Sequence, residues 1–247
     1  MCIRDSIGSA YYNGEEWDQL VEYTQAADRM GVHEAWSAEA WGMDAIVPLA
    51  YLAAKTERIR LGTGIMQISS RVPSMIAMTA QSLDTVSNGR FNLGLGVSGP
   101  QVVEGLHGAK FAKPLSRLRE CVDILRLGLG GEKLQYDGEH YTLPRPGGEG
   151  KPLRLSQPPR PNLPIYLATL GPKSLQMTGE VADGWLGTCF MPEAGHVFLD
   201  DLEAGAKDAG RSLQDIDIQT GGYFEISDDV ERLVAAVSYT HLRAHET

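Results

Sequence analysis

The chain has 247 residues, of which 43% are hydrophobic, and a formal net charge of −10. This hydrophobic content is enough for a sizeable core, so the totals exclude a disordered chain. The negative charge, without a dense lysine or arginine cluster, argues against nucleic acid or an anionic membrane as the main partner, because both attract a positive surface. A small-molecule ligand fits these totals better.

The cysteines and the hydropathy pattern narrow the class further. Cys2, Cys121 and Cys189 are too few and too far apart for a disulfide framework or a zinc site, so we predict a reducing compartment and no metal. No segment reaches the roughly 18 uninterrupted apolar residues of a membrane helix, and the start lacks the pattern of a signal peptide. We therefore expect a cytoplasmic protein.

Strand and helix patterns alternate along the first hundred residues. A helix with apolar residues at helical spacing begins at Trp17 and ends before Gly31. Asp44 is a candidate N-cap for the second helix, which has Pro48 in its first turn. Pro73 begins the third helix. The predicted helices cover 17–30, 44–55 and 73–87, and the predicted strands cover 7–12, 32–38, 59–65 and 91–95. A period of about 30 residues predicts βαβ units in a parallel sheet.

The alternation is interrupted after Pro100 and resumes at residue 165. We expect a loop to Pro114, a helix over 115–129 and an insertion at about 130–164, where Asp137 and Gly138 predict a hairpin with a two-residue turn. Seven of the thirteen prolines fall in 144–164, which excludes regular structure there. The later predicted strands are 165–168, 185–189 and part of 216–226, and the later helices are 172–181, 193–209 and one from Asp228.

Seven strand–helix units predict an α/β fold, a (β/α)8 TIM barrel truncated after about the seventh strand. An open doubly wound sheet is the alternative, and the length and the insertion favour the barrel. Residues 7–236 would form this single domain. The ends, 1–6 and 237–247, resemble translated sequencing-adapter read-through, so we expect neither to pack into the core.

Glycines concentrate where the strand at 91–95 ends. Gly94, Gly96 and Gly99 suggest that a ligand lies against the main chain there, although a turn that needs glycine only for its geometry fits equally well. The spacing also matches a dinucleotide-binding glycine motif. Pro100 follows at once and no helix pattern begins until Leu115, which disfavours a Rossmann phosphate turn.

In a parallel barrel the ligand lies at the carboxyl ends of the strands. The predicted strand ends are poor in metal ligands and nucleophile triads but rich in small and apolar groups, which favours a planar redox ring. The helix that begins after Gly171 has Pro172 in first position, followed by Lys173 and Ser174, and could hold a phosphate. Ordinary helix capping explains the same residues equally well.

Four motifs occur in a characteristic order: WSAE at 36–39, IRLGTG at 59–64, NGRFNLGLG at 88–96 and ADGW at 182–185. Together they resemble the luciferase-like monooxygenase superfamily, and more narrowly its deazaflavin (coenzyme F420)-dependent oxidoreductases. The resemblance covers residues 7–236. It implies a luciferase-like TIM barrel with a deazaflavin or FMN ring across the barrel mouth and hydride transfer at that ring.

The resemblance also implies roles for individual residues. A non-prolyl cis peptide would lie between Gly64 and Ile65 behind the ring, Trp41 and Asp44 would lie in a loop over the pocket, and residues 169–173 would form the phosphate-binding turn. The implied cofactor-binding residues are Glu39, Asp44, Gly64, Ile65, Val97, Ser98, Thr169, Leu170, Gly171 and Lys173.

The proton-transfer residue departs from the family pattern. Relatives often carry a catalytic histidine at the position of Ala40, so the remaining candidate is His107, with Glu104 three residues before it. A loop histidine bonded only to the main chain is the alternative.

Three functions therefore stay open. The first is hydride transfer between coenzyme F420 and a small organic substrate; the second is FMN-dependent monooxygenation with molecular oxygen; the third, favoured by Ala40, is a non-catalytic flavin-binding protein. The sequence leaves the substrate and a homodimer undetermined, and we expect the chain as written to be poorly active because an eighth barrel unit is lacking.

Overall fold

The computed structural model describes residues 6–8, 17–188 and 190–221. The helices are α1 (Trp17–Met30), α2 (Ile46–Ala53), α3 (Pro73–Val86), α4 (Pro114–Leu129), α5 (Pro172–Val181) and α6 (His196–Asp208). The strands are β1 (Ser6–Gly8), β2 (Glu34–Ser37), β3 (Arg60–Thr63), β4 (Met66–Gln67), β5 (Phe91–Gly96), β6 (Tyr136–Asp137), β7 (Thr142–Leu143), β8 (Ile165–Leu167), β9 (Gly184–Gly187) and β10 (Asp217–Thr220).

The main sheet has the strand order of a barrel. Its strands pair in parallel in the order β1, β2, β3, β5, β8, β9, β10, and the short β4 also pairs with β5. A doubly wound sheet would reverse its order at a switch point, whereas here each main strand lies beside the preceding one. The fold is therefore the predicted (β/α)8 barrel, of which the described residues supply seven main strands.

Local signals placed most elements correctly. The α1 helix ends at Met30, and the next residue, Gly31, takes a φ of +87° that glycine adopts without steric cost. The α3 and α5 helices begin at Pro73 and Pro172, where a missing N–H costs little. Residues 144–164 contain no regular secondary structure, as their prolines predicted. The predicted helix from Asp228 lies outside the described residues, as do Cys2 and Cys189.

Aromatic side chains fill the space above glycines of neighbouring strands. A Cβ atom added to Gly62 would lie 2.3 Å from Trp36 Cε3, and one added to Gly184 would lie 2.1 Å from the ring of Tyr166. The rings of Trp36 and Tyr166 meet edge to face, with centroids 5.2 Å apart. These glycines allow large rings to pack inside the barrel, where close packing excludes water.

Polar side chains meet at the amino-terminal ends of the strands. Arg60 donates to Asn92 Oδ1 at 2.6 Å, and Asn92 donates to the buried Glu34 at 3.1 Å. Tyr166 donates its hydroxyl to Asp217 at 2.8 Å. These groups lie at the end of the barrel opposite the expected site, and all but Asp217 line a cavity of about 740 Å³.

The structure corrects the hairpin prediction. Strands β6 and β7 pair with Tyr136 opposite Leu143, so the connection between them is the four residues 138–141 and not a two-residue turn. The cause is Glu120 on α4, whose carboxylate accepts the main-chain N–H groups of Glu139, His140 and Tyr141 at 2.8, 2.9 and 3.0 Å. The buried Glu120 carboxylate thus stabilises a four-residue loop where the sequence pattern predicted a two-residue turn.

Two further predictions differ from the structure. The segment after Pro100 is not a plain loop, because residues Gln101–Leu106 form a π-helix. The predicted helix at 193–209 is a 3₁₀ turn, Pro192–Ala194, followed by α6. Ser6 pairs with Glu34 in the sheet, and residues 1–5 and 237–247 lie outside the described part of the chain, so the assignment of the two ends stays a prediction.

Candidate functional site

The carboxyl ends of neighbouring strands are joined by main-chain hydrogen bonds. Gly64 donates to Ser37 at 2.8 Å, Ile68 donates to Gly96 at 3.1 Å, and Ala168 donates to Leu95 at 3.0 Å. These bonds connect the segments after β2, β3, β5 and β8. The predicted cofactor-binding residues therefore follow adjacent strand ends along one mouth of the barrel.

The peptide bond between Gly64 and Ile65 is cis, as the resemblance implied. It lies between β3 and β4, where the chain leaves one strand and pairs with β5. The Ile65 side chain lies over Gly96, since a Cβ atom there would be 2.6 Å from Ile65 Cδ1.

The glycines of β5 serve packing between strands. A Cβ atom at Gly94 would lie 1.8 Å from the carbonyl oxygen of Thr63, and Ile65 occupies the corresponding space at Gly96. Of the two explanations for these glycines, the structure therefore favours geometry at 94 and 96. Gly99 differs, because its nearest neighbour is Gln101 Oε1 at 3.6 Å.

Glu39 forms a two-pronged ion pair at the end of β2. Arg71 donates to its two carboxylate oxygens at 2.6 and 2.8 Å, and the main-chain N–H groups of Gln67 and Ala45 donate at 3.2 and 3.3 Å. Burial alone would raise the pKa of Glu39, but the Arg71 hydrogen bonds and the two main-chain donors together hold that pKa below its ordinary value. Glu39 is thus ionised near neutral pH.

Gln67 bridges from β4 to the end of β2. Its side-chain Nε2 donates to the carbonyl oxygens of Glu39 and Ala40 at 3.1 and 3.3 Å. The residue is fully buried, and its side-chain Oε1 has no hydrogen-bond partner. Ser69, two residues further on, also has a buried Oγ without a partner. Buried polar atoms of this kind are rare in proteins unless water or a ligand satisfies them.

Asp44 has a local structural contact. Its Oδ1 accepts the N–H groups of Ile46 and Val47 at 2.7 and 2.9 Å, which satisfies free donors at the start of α2. The sequence predicted both a capping and a pocket role, and the structure shows the capping contact.

The segment after β5 carries both candidate catalytic residues. Val97 is half-buried and packs against the core, and Ser98 adopts a positive φ of 58°. Glu104 and His107 are exposed on the π-helix and at its end. Glu104 accepts the N–H of Phe111 at 3.0 Å. Within the described chain the His107 side chain has no hydrogen bond or ion pair, so it lies free at the surface beside the mouth.

The turn after β8 is organised by internal contacts. Thr169 is buried and its hydroxyl lies 2.7 Å from that of Thr178, while its carbonyl oxygen accepts the indole N–H of Trp185 at 2.8 Å. Gly171 is the N-cap of α5, and its carbonyl accepts the Ser174 hydroxyl at 2.8 Å. Leu170 and Lys173 are exposed.

Two residues of the site escaped prediction. Arg71 and Gln67 follow the IRLGTG motif within ten residues, but nothing in the local pattern pairs them with Glu39 about thirty positions earlier. Only the approach of β3 and β4 to β2 brings them together.

Neither a metal centre nor a membrane span is found in the part of the chain that the structure describes. It contains no group of three or more histidine, cysteine, aspartate or glutamate side chains placed to hold a metal ion. No helix within 6–8, 17–188 or 190–221 has the length and apolar character to cross a membrane.

The strand order and the linked strand ends define a (β/α)8-barrel protein with its candidate site at the carboxyl-terminal mouth. Residues 1–246 match the luciferase-like monooxygenase family, and the chain belongs to this family.

Similar proteins agree with this assignment. A Mycobacterium tuberculosis protein provisionally named a coenzyme F420-dependent oxidoreductase is 40% identical over 227 residues, which are 89% of this chain and 65% of the relative. The 5,10-methylenetetrahydromethanopterin reductase of Methanolobus tindarius is 31% identical over 219 residues, 88% of this chain and 64% of the relative. The chain thus spans slightly less than two thirds of these relatives.

A solved structure shares the fold. The coenzyme F420-dependent tetrahydromethanopterin reductase of Methanopyrus kandleri superposes with a TM-score of 0.81 at 24% identity, over 92% of this chain and 67% of that one. At this identity the likeness concerns the barrel alone.

Proposed function

We propose that this chain belongs to an oxidoreductase that transfers a hydride between deazaflavin coenzyme F420 and a small organic substrate. The observation that carries the proposal is the 40% identity with the mycobacterial relative named for coenzyme F420. The candidate site supports a planar ligand, because small and apolar residues, among them Gly64, Ile65 and Val97, follow adjacent strand ends at the mouth.

The residues at the mouth fit a flavin-type ring on one structural criterion. Gln67 Oε1 and Ser69 Oγ are buried without partners within five residues of the cis peptide. A planar heterocycle with N–H and carbonyl groups on its edge can satisfy such atoms, whereas a purely apolar ligand cannot. When bound, the deazaflavin ring supplies the hydride acceptor or donor.

The cofactor-binding residues remain those of the sequence prediction. The ring would be bordered by Gly64, Ile65, Val97 and Ser98. Glu39, held in its ion pair with Arg71, would lie beside the ring. The exposed N-terminus of α5, with Leu170, Gly171 and Lys173, would hold a phosphate by its main-chain N–H groups and positive charge. Thr169 would stabilise this turn through its buried contacts, and Asp44 would stabilise the start of α2.

In this proposal Glu39 is not the residue that transfers the proton. A carboxylate held ionised by Arg71 is a poor proton donor near neutral pH. His107 is exposed at the end of the π-helix after β5 and is the general acid or base of this proposal, and Glu104 fixes the loop by accepting from Phe111. We expect His107→Gln to lower turnover about 100-fold or more without changing the affinity for the cofactor.

Titration with coenzyme F420 and with FMN tests the proposal. The fluorescence of each cofactor is followed as protein is added, and oxygen consumption is recorded with each reduced cofactor. Binding of F420 without oxygen consumption supports the proposal. Binding of FMN alone, with oxygen consumed, would instead indicate a monooxygenase, and binding without turnover on any substrate of a broad panel would indicate a non-catalytic flavin-binding protein.

We further propose a cytoplasmic enzyme whose partner is a small molecule, with no nucleic acid or membrane partner. The net charge of −10 supports this part of the proposal, because anionic polymers and surfaces repel such a protein. Sedimentation of the purified chain will show whether it forms a homodimer.

A further inference from the structure

The Gln67 side chain has one hydrogen-bonding atom to spare in a fully buried position. Its Nε2 group uses both hydrogens on the carbonyl oxygens of Glu39 and Ala40, at 3.1 and 3.3 Å. This contact decides the orientation of the amide, because the opposite orientation would place two carbonyl-type oxygens against each other. The free atom is therefore the acceptor Oε1 and not a donor.

The surroundings of Gln67 fix this acceptor in place. The main-chain N–H of Gln67 donates to Glu39 Oε1 at 3.2 Å, and Arg71 holds the same carboxylate. Gln67 also pairs with Gly96 in the sheet. The main chain of Gln67 is thus held by Glu39 and β5, and its side-chain Nε2 is held by the end of β2, which keeps Oε1 in its buried position. A buried acceptor held without a donor costs stability, which a bound donor would restore.

The position of Gln67 indicates what kind of donor it receives. It lies two residues after the cis peptide and is fully buried, whereas Leu170, Lys173 and His107 at the rim are exposed. A group that reaches it must enter the mouth deeply. Flavin and deazaflavin rings carry one imide N–H between two carbonyl groups, and this N–H is a donor that an amide oxygen accepts.

We propose that Gln67 Oε1 accepts the imide N–H of the bound flavin-type ring and is a cofactor-binding residue. This inference rests on the proposed function and extends it to a residue outside the predicted site. It requires the ring to have a donor at that position, so a ring methylated on the imide nitrogen should bind worse.

The first experiment uses the unmodified protein with two probes, a deazaflavin and the same ring methylated on its imide nitrogen. Fluorescence titration measures the Kd of each. Loss of one neutral hydrogen bond and a clash with the methyl group should weaken binding about tenfold or more. Equal affinities would overturn the inference, since a water molecule or no group at all would then face Oε1.

The second experiment removes the acceptor. Gln67→Leu should bind the unmethylated deazaflavin about tenfold more weakly and should lose most of its discrimination between the two probes. Gln81→Leu is the matched control, because Gln81 on α3 is also buried with a free Oε1 but faces the proline-rich segment through Pro158. Far-ultraviolet circular dichroism confirms that each variant folds.

The outcomes separate this inference from the proposed function. If the unmodified protein binds neither deazaflavin nor FMN, both fail. If it binds deazaflavin but Gln67→Leu keeps full affinity and full discrimination, the cofactor proposal stands and the role of Gln67 is wrong. If Gln81→Leu weakens binding as much as Gln67→Leu, the effect is structural and the inference fails.

Discussion

Arg71 donates two hydrogen bonds to the carboxylate of Glu39, at 2.6 and 2.8 Å, and so joins the loop after β4 to the end of β2. The side chains are 18% and 8% exposed, so the pair is largely shielded from water. Removing one member of such a pair costs more than the pair contributes, because the remaining charge keeps its desolvation penalty.

We therefore predict that Arg71→Met lowers the free energy of unfolding by about 2 kcal/mol. Urea unfolding measures the change. The double variant Arg71→Met with Glu39→Gln should recover part of the loss, because no buried carboxylate is then left unpaired. A double variant that loses the sum of the two single changes would show that the residues act independently.

Asp28 makes the stability of the fold depend on pH. Burial would raise the pKa of Asp28, but main-chain N–H donors from Glu57, Ile59 and Arg58, at 2.8, 2.7 and 3.0 Å, lower that pKa below its ordinary value of 3.8. The unfolded chain then binds this proton at a higher pH than the folded chain. The stabilisation is complete above the unfolded pKa and is lost as pH falls through the folded pKa.

The predicted consequence is a specific loss of stability in acid. Urea unfolding free energies should fall as the pH is lowered below about 4. Asp28→Asn should be less stable at pH 7 and should lose less stability between pH 5 and pH 3 than the unmodified protein. Parallel pH profiles for the two proteins would contradict this assignment.

Sequence reasoning succeeded where the signal is local. Gly31 and Pro73 mark helix ends through their own backbone preferences, and the short apolar run at 91–95 indicates the buried strand β5. It failed where distant parts of the chain meet. The four-residue loop after β6 depends on Glu120 of α4, and the orientation of Gln67 depends on the end of β2.

The glycine cluster of β5 illustrates the same limit at the site. Its spacing predicted close approach of some group but could not distinguish a ligand from protein. The group is Thr63 of the neighbouring strand at Gly94 and the Ile65 side chain at Gly96. The register of β3 against β5 and the conformation of the Ile65 side chain decide whether protein or ligand fills the space beside these glycines. Neither can be read from the sequence alone.

Gly94→Ala tests the packing role directly. Its Cβ atom would lie 1.8 Å from the Thr63 carbonyl oxygen, so β3 and β5 would have to separate. We expect a destabilisation of about 3 kcal/mol or more, or failure to fold. Gly99→Ala is the control, because its nearest neighbour is the flexible Gln101 side chain at 3.6 Å. Thermal unfolding of both variants measures the contrast, and equal melting temperatures would refute the packing role.

Glu120 should control the hairpin loop. Its carboxylate accepts three main-chain N–H groups within 138–141, so Glu120→Gln replaces two of its acceptor sites by donors. We predict faster hydrogen exchange at residues 139–141 and a loss of about 2 kcal/mol in the free energy of unfolding. Asp123→Asn, on the same helix and bonded to Tyr136, should leave exchange at 139–141 unchanged. Unchanged exchange in Glu120→Gln would show that the strand pairing alone holds the loop.

The N-terminus of α5 offers the last test, which concerns the phosphate of the proposed cofactor. Lys173 is exposed in the first turn of this helix, where main-chain N–H groups and the helix dipole favour an anion. We predict that Lys173→Ala weakens binding of coenzyme F420 about tenfold but leaves the affinity for a phosphate-free deazaflavin unchanged, since only the former carries the anion. Lys207→Ala is the matched control, because Lys207 lies on α6 and pairs with Glu203. Fluorescence titration supplies all six dissociation constants for the unmodified protein and the two variants. Equal weakening of both ligands by Lys173→Ala would mean that the lysine supports the ring or the fold, and the turn after β8 would then act only as a helix cap.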